Sequence, residues 1–382
     1  MFIGIDAITE SWPKKTGVEW YAHHLLKEMI KIPSENQFVL YSSSSLKLDL
    51  PCEIRRRRSD QAAISEGEPK NWQNKVLVWP FVYLWSQVRL SWQMIFSPPD
   101  ILFVPVRALP LIHPKKSVFT VHDLGFEVFP ECYSFFKRNY TRFLYRRALK
   151  ECVKIFVPSS FTKREILRLY RIGEQKIKVI PLGFDQNVFN PLKNEEKNKE
   201  ILRKYEIKKP FVFYLGRKEK KKNLVNLLKA WQILKEKGFE DLTLVLAGSP
   251  GYGYQEIACL IAKTRMVKEI AYLKEEEVKS FYQEAEFFVF PSFYEGFGLP
   301  LLEAMACKCP VVSSSLPSLK EIGDRAALYF EPENVGEIAL RMEEVLKNKT
   351  LKEELEKKGL ERVKNFSWQK CAAETMQEIE NL

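Results

Sequence analysis

At 382 residues the chain is too long for one ordinary domain and comfortable for two of similar size. A hydrophobic share of 46% beside 29% charged residues belongs to a soluble globular protein and excludes a fibrous or disordered chain, and no run of residues is long and apolar enough to span a bilayer. The net charge of +11 is lopsided: residues 1–190 hold 28 Lys and Arg against 18 Asp and Glu, the remainder 32 against 31, so the first half is expected to face something acidic. Nucleic acid, anionic lipid head groups and a phosphorylated acceptor all qualify on charge alone. Seven cysteines, an odd number without a C-x-x-C pair, predict reduced thiols in the cytoplasm. The opening apolar run stops at Asp6 with no basic leader and no small-residue cleavage site, so no targeting signal is expected.

Residues 2–5 read as a buried strand, followed by a polar loop with Pro13, Lys14, Lys15 and Gly17, and residues 18–32 have the apolar spacing of an amphipathic helix. Strand, glycine-bearing loop and helix place backbone amides where a diphosphate can rest. A second strand is expected at 38–41. Residues 53–58 then carry four consecutive arginines, and 59–70 read as a polar loop. Between 72 and 96, Trp72, Trp79, Trp85 and Trp92 alternate with Phe81, Tyr83, Lys75 and Arg89. Tryptophans mixed with cations suit a membrane interface, and a kinked helix packed on the sheet is the competing reading. Strands at 101–105 and 117–121 follow, the second ending in His122-Asp123, at the carboxyl end of a strand where open α/β sheets bind ligands. A basic helix at 135–152, a strand at 154–157 and a final strand in IKVIPLGFD complete this half.

Residues 187–200 have the composition of a linker. A strand at 211–215 runs into Gly216-Arg217, then Lys222-Asn223 and a helix to about residue 235. Cations at a helix start are electrostatically awkward unless an anion sits there, which points to a phosphate site. A strand at 242–247 ends in GSPGYGY, which matches neither a P-loop nor G-x-G-x-x-G. The chain then reaches PSFYEGFGLPLLEAMACKCP at 291–310. An apolar run ends in Pro-Ser, Gly296 and Gly298 permit a tight turn, and Pro300 suits the first turn of a helix. Glu295 stands before that helix and Glu303 within it, a disposition suited to a polyhydroxylated ligand because carboxylate oxygens accept from adjacent hydroxyls. A strand at 311–313, a helix at 335–347 and one or two charged helices over 351–382 finish the chain.

The string FYEGFGLPLLEAMACKCPVVSS closely resembles the signature of retaining glycosyltransferase family four, the glycosyl transferases group 1 domain of the GT-B fold. TGVEWY, VHDLGFEVFPE, SSFTKREI, the G-R…K-N segment and FSW are similar to further stretches of that family, and the second resembles bacterial mannosyl- and rhamnosyltransferase-like members. The resemblance implies an α/β protein of two Rossmann-like domains facing across a cleft: 1–186 on the acceptor side, 187–365 binding the nucleotide sugar, and 366–382 a helix crossing back to the first domain. It assigns the donor sugar to Glu295, to Gly296, Phe297, Gly298 and Leu299, and to His122, the ribose to Glu303, and the diphosphate to Arg217, Lys222 and Gly17. Relatives carry an arginine where Trp20 stands here. Lys220 and Lys221 are expected to be solvated neighbours.

The activity so implied is metal-independent transfer of a hexosyl group with retention, best matched by mannosyl from GDP-mannose with UDP-hexoses next, to a glycan or lipid-linked hydroxyl in surface polysaccharide synthesis. Catalysis would rest on His122 and Glu295, and no D-x-D pair is present to hold a divalent ion. No cofactor beyond the donor substrate is expected, and no nucleic-acid motif accompanies the charge. The expected location is the cytoplasm, at the inner face of the cell membrane, with peripheral contact through the basic, Trp-rich first half. Two competing readings are a sugar-nucleotide epimerase or phosphorylase on the same fold, and a non-catalytic basic binder of membrane or nucleic acid that retains the pocket.

Overall fold

The structure, a computed structural model, describes residues 1–12, 15, 17–46, 52–53, 71–81 and 84–382, with 52–53 as backbone alone. The arginine run at 55–58, the polar loop at 59–70, Pro13, Lys14 and Tyr83 lie outside the described residues. Two compact units divide the chain. The first comprises Met1–Leu124, Asn139–Gly183 and Trp368–Leu382, and the second Gly125–Arg138 and Phe184–Ser367. Residues 125–138, within the stretch expected of the first domain, thus group with the second unit.

The first unit is built on an eight-stranded parallel sheet: β1 (Phe2–Asp6), β2 (Gln37–Ser42), β3 (Cys52–Glu53), β4 (Trp72–Val76), β5 (Ile101–Val104), β6 (Lys116–Thr120), β7 (Lys154–Val157) and β8 (Ile177–Val179). Its order is β3-β4-β2-β1-β5-β6-β7-β8. Strands such as ILFV at β5 are apolar at every position because a parallel sheet is covered on both faces and has no solvent side to alternate with. The chain leaves β1 toward β2 on one side and later returns to β5 on the other, which makes the β1–β5 junction the switch point of the sheet. Helix Trp368–Glu380 packs on helix Gly17–Met29, with the rings of His24 and Trp368 stacked at 5.4 Å.

The second unit repeats the plan with six parallel strands: β9 (Phe211–Leu215), β10 (Thr243–Ala247), β11 (Val267–Ile270), β12 (Phe288–Phe290), β13 (Val311–Ser314) and β14 (Ala327–Phe330), ordered β11-β10-β9-β12-β13-β14. Its switch point lies between β9 and β12. Trp231 and Leu227 from helix Leu224–Glu236, with Met342 and Ile338 from helix Val335–Lys347, are buried in the core formed with this sheet.

Two expectations of local structure are corrected. Residues 72–96 are not one kinked helix: Trp72–Val76 pairs with β2 as strand β4, and only from Trp85 does the chain become helical, as a wide π-type turn Trp85–Leu90 continuing into helix Ser91–Phe96. Trp72 stacks on Phe38 across the strand pair, ring centroids 4.2 Å apart, a cross-strand aromatic contact that favours the extended chain. The expected linker at 187–200 ends in a helix, Glu195–Lys204, whose start is capped by Asn194 accepting from the Lys197 amide at 3.0 Å. All six cysteines whose side chains are described are free thiols. Among the described residues no helix is long and apolar enough to cross a membrane.

Candidate functional site

The carboxyl ends of β9 and β12 flank the switch point of the second unit, and each runs into one of the loops singled out by sequence. After β9 come Gly216, Arg217 and the 3-10 turn Lys220–Lys222, and after β12 come Pro291 to Gly298. Three main-chain and side-chain links tie the loops together. The Phe293 amide donates to the Lys221 carbonyl at 2.9 Å. The Asn223 amide group donates to the Pro291 carbonyl at 3.0 Å and to the Pro332 carbonyl at 2.6 Å.

On that framework Lys222 and Glu295, 73 residues apart in sequence, meet at 2.5 Å from Nζ to Oε1. The same Oε1 accepts from the Ser292 hydroxyl at 2.6 Å, and the Ser318 hydroxyl donates to the Glu295 carbonyl at 2.6 Å. The Lys222 ammonium also lies 5.5 Å from the centre of the Phe290 ring. Both charges are largely buried, with side-chain exposures of 15% and 11%, so each compensates the other where an isolated ion would be costly. Their chemistry suits two neighbouring parts of one ligand. Lysine takes an anionic oxygen as a point charge, and a carboxylate accepts from hydroxyls.

Gly298 forms the start of helix Leu299–Ala306 with φ 110°, where an L side chain is strained. A Cβ at Gly298 would come within 2.6 Å of the buried Leu319 side chain. The amides of Phe297, Gly298 and Leu299 donate to no acceptor among the described residues, which leaves donors directed beyond the helix start as the spacing predicts. One turn into that helix, Glu303 accepts from the Tyr282 hydroxyl at 3.1 Å. Burial pushes its carboxyl up to about 8 and the neighbouring Glu275 adds to the rise, while the Tyr282 hydrogen bond opposes it. The carboxyl is therefore mostly protonated at neutral pH in the ligand-free protein.

Arg217 is not drawn into this cluster. Its side chain is half exposed, and its Nε is 3.9 Å from Glu219 Oε2. Lys220 is exposed as expected, whereas Lys221 is buried, contrary to the reading of it as a solvated neighbour. Consecutive residues of a tight 3-10 turn point in different directions, so three adjacent lysines cannot share one environment.

In the first unit, the segments after β1 and β6 hold the remaining candidates. His122 follows β6, and its Nε2 lies 2.8 Å from the Pro105 carbonyl. A carbonyl only accepts, so Nε2 carries the proton. Burial holds the imidazole below its ordinary value despite that bond and the nearby Asp123 and Glu19. The ring is thus neutral, with Nδ1 an acceptor that no described residue engages. Tyr21 packs edge-on against it at 4.6 Å. Gly17 opens helix Gly17–Met29, and a Cβ there would meet nothing within 4 Å. No described residue requires glycine at this position.

Sequence reasoning missed Ser292, Ser318 and Tyr282, and it gave Asn223 a place in a motif but no role. Ser292 stands three residues before Glu295, a spacing that hints at a turn contact. Ser318 and Tyr282 reach the site only through tertiary packing and leave no local signal.

Comparison with known proteins identifies two matching domains. Residues 15–188 match the family described as Glycosyltransferase Family 4, and residues 194–362 match Glycosyl transferases group 1. The chain is similar to the O-antigen chain mannosyltransferase B of Escherichia coli, 27% identical over 373 residues that cover 94% of this chain and 95% of the relative. Its fold is similar to that of sucrose-phosphate synthase from Thermosynechococcus elongatus, with a TM-score of 0.74 at 18% identity over 100% of this chain and 98% of that one. The HepE protein of Anabaena, whose structure was determined with UDP-glucose, matches with a TM-score of 0.72 at 14% identity, covering 100% of this chain and 99% of that one.

Proposed function

From the premise that the chain belongs to the glycosyltransferase family these two domains define, with its GT-B fold, we propose that it moves a mannosyl group from GDP-mannose, with retention, to a hydroxyl of a lipid-linked glycan during surface polysaccharide synthesis. The observation that carries the reading is the meeting of Lys222 and Glu295 at the switch point, a cation for a diphosphate beside a carboxylate for sugar hydroxyls. The mannosyl assignment is supported by the likeness to the Escherichia coli mannosyltransferase over almost the whole of both chains.

In this reading the bond between the anomeric carbon and the diphosphate oxygen breaks while the acceptor oxygen bonds the same carbon on the same face. The proton of the acceptor hydroxyl passes to the departing phosphate oxygen. Lys222 and Arg217 stabilise the charge that grows on the diphosphate, together with the amides at 297–299, and these fixed charges take the place of a metal ion. Glu295 holds hydroxyls of the sugar, the neutral His122 accepts from a hydroxyl at Nδ1, and Glu303 takes the ribose. The enzyme acts in the cytoplasm at the inner face of the membrane, where a lipid-linked acceptor is presented.

The test is a transfer assay with GDP-mannose, GDP-rhamnose, UDP-glucose, UDP-galactose, UDP-N-acetylglucosamine and ADP-glucose, with EDTA throughout and the product anomer read by NMR. Mannosyl transfer with the α configuration preserved supports the proposal. An inverted product, a requirement for divalent metal, or a UDP-sugar preference overturns the corresponding part. Conversion of the donor sugar without an acceptor would instead indicate an epimerase or phosphorylase.

A further inference from the structure

The helical stretch Trp85–Phe96 carries large apolar residues on its outer side as well as on its buried one. Its core side buries Trp85, Leu90 and Met94 together with Ser86, Gln87, Ser91 and Gln93. Ser86 donates to the Asp6 carboxylate at 3.1 Å, Gln87 to the Leu109 carbonyl at 3.2 Å, and Ser91 to the Gln87 carbonyl at 2.7 Å. Its outer side carries Leu84, Val88, Trp92, Ile95 and Phe96, at helical spacing. Trp92 is 60% exposed and Phe96 69%, and their rings lie 5.3 Å apart. Single exposed apolar residues are ordinary, but a continuous stripe of five large ones on one helical stretch is not.

The stripe has neighbours of the same character. The Ile112 amide donates to Ser91 Oγ at 3.2 Å, which seats exposed Leu111 and Ile112 beside the helix. Arg147 donates to the Pro110 carbonyl at 3.2 Å, which brings helix Phe135–Glu151 against the same loop. That helix turns Tyr140, Phe143, Arg146 and Lys150 outward, and its sequence holds six Lys and Arg against the single Glu151. Exposed aromatic rings beside cations match the boundary of an anionic bilayer, where rings enter the head-group layer and cations meet phosphates. A second copy of this chain would set these cations against themselves.

We propose that the outer face of residues 84–96, with Leu111, Ile112 and the Tyr140–Lys150 side of the following helix, is the surface by which the first unit docks on an anionic phospholipid bilayer. This deepens, and rests on, the reading of a lipid-linked acceptor. Docking confines the enzyme to the plane in which such an acceptor is held, and each cation near the surface strengthens partition about fivefold.

The full chain is to be co-sedimented with vesicles of phosphatidylglycerol and phosphatidylcholine that contain no acceptor lipid, and with vesicles of phosphatidylcholine alone. The wild type is expected to partition at least tenfold better to the anionic vesicles, and added salt should weaken that preference. Trp92→Ser/Phe96→Ser and, separately, Arg146→Glu/Lys150→Glu should each lose about tenfold or more, while melting temperature and donor affinity stay at wild-type values. Anionic vesicle binding that both variants retain overturns the surface. So does the absence of any vesicle binding, including the case where sedimentation velocity shows the wild type dimeric and Trp92→Ser/Phe96→Ser monomeric. Transfer to a water-soluble acceptor analogue is measured beside these. Vesicle binding without transfer would sink the functional reading alone, and transfer without vesicle binding would sink the surface alone.

Discussion

Gly298 and Gly17 both open a helix at a candidate site, and the protein treats them oppositely. At Gly298 the backbone is left-handed and Leu319 occupies the space a side chain would need, so the fold itself demands glycine. At Gly17 a Cβ would touch no described residue within 4 Å. The contrast extends to their surroundings. In the second unit, Lys222, Glu295, Ser292 and Ser318 satisfy one another, whereas His122 in the first unit has one nitrogen bonded and the other engaged by no described residue. Residues of the first kind are constrained by their neighbours in the chain, those of the second by whatever binds. Substitution of the two glycines should therefore move stability at Gly298 and turnover alone at Gly17.

The largest effect is expected at the centre of the self-satisfied cluster. Glu295→Gln keeps an oxygen to accept from Lys222 and Ser292, so the fold should persist, while transfer falls about a thousandfold because the charge that orders the sugar is gone. Steady-state kinetics beside a thermal melt reads both, and near-normal turnover would break the assignment. Next, Gly298→Ala should cost about 2 kcal/mol of stability through backbone strain and the contact with Leu319, measured by urea unfolding. An unchanged midpoint would mean that the turn relaxes freely.

Gly17→Ala sharpens the contrast from the other side. Its melting temperature should match the wild type, with kcat/KM reduced roughly tenfold by a methyl group in the ligand's space, about 1.4 kcal/mol. Equal activity would show that Gly17 faces no ligand. The smallest effect concerns Glu303, whose carboxyl stands at about 8. The folded state then binds more protons than the unfolded one between the ordinary carboxylate range and about 8, so this residue makes stability fall as pH rises through that window. A ribose that donates hydroxyls to the carboxylate favours its ionised form, so donor affinity should improve several-fold as pH rises through 8. Calorimetric titration of GDP-mannose at several pH values checks this, and Glu303→Gln should flatten the profile.

Much of the second unit was legible because its signals are local. An apolar strand, a glycine turn and Pro300 lie within thirteen residues, and their backbone preferences act over that distance. The strand at 211–215, the strand at 154–157 and the helix at 335–347 have the bounds expected of them. Local composition misled at 72–76, where Trp72 finds its partner on β2, and at 195–204, where charged residues that read as linker carry a capped helix. Gly17 and Gly298 looked alike in sequence because φ and the distance to Leu319 are not properties of a residue's neighbours in the chain.

The sequence by itself determined the two α/β halves, the glycosyltransferase family, and the positions of Lys222, Glu295 and His122 at strand or helix ends with Glu303 one turn into a helix. Those follow from apolar periodicity and turn chemistry, which are read within a few residues. Only the tertiary structure decided that Lys222 meets Glu295, that Lys221 is buried while Lys220 is not, that Pro105 sets the tautomer of His122, and that the helix through Trp92 leaves an apolar stripe exposed. Each depends on how crossovers order the strands of a sheet. Strand order brings residues 73 apart in sequence to within a hydrogen bond, and no local preference of the chain encodes that distance.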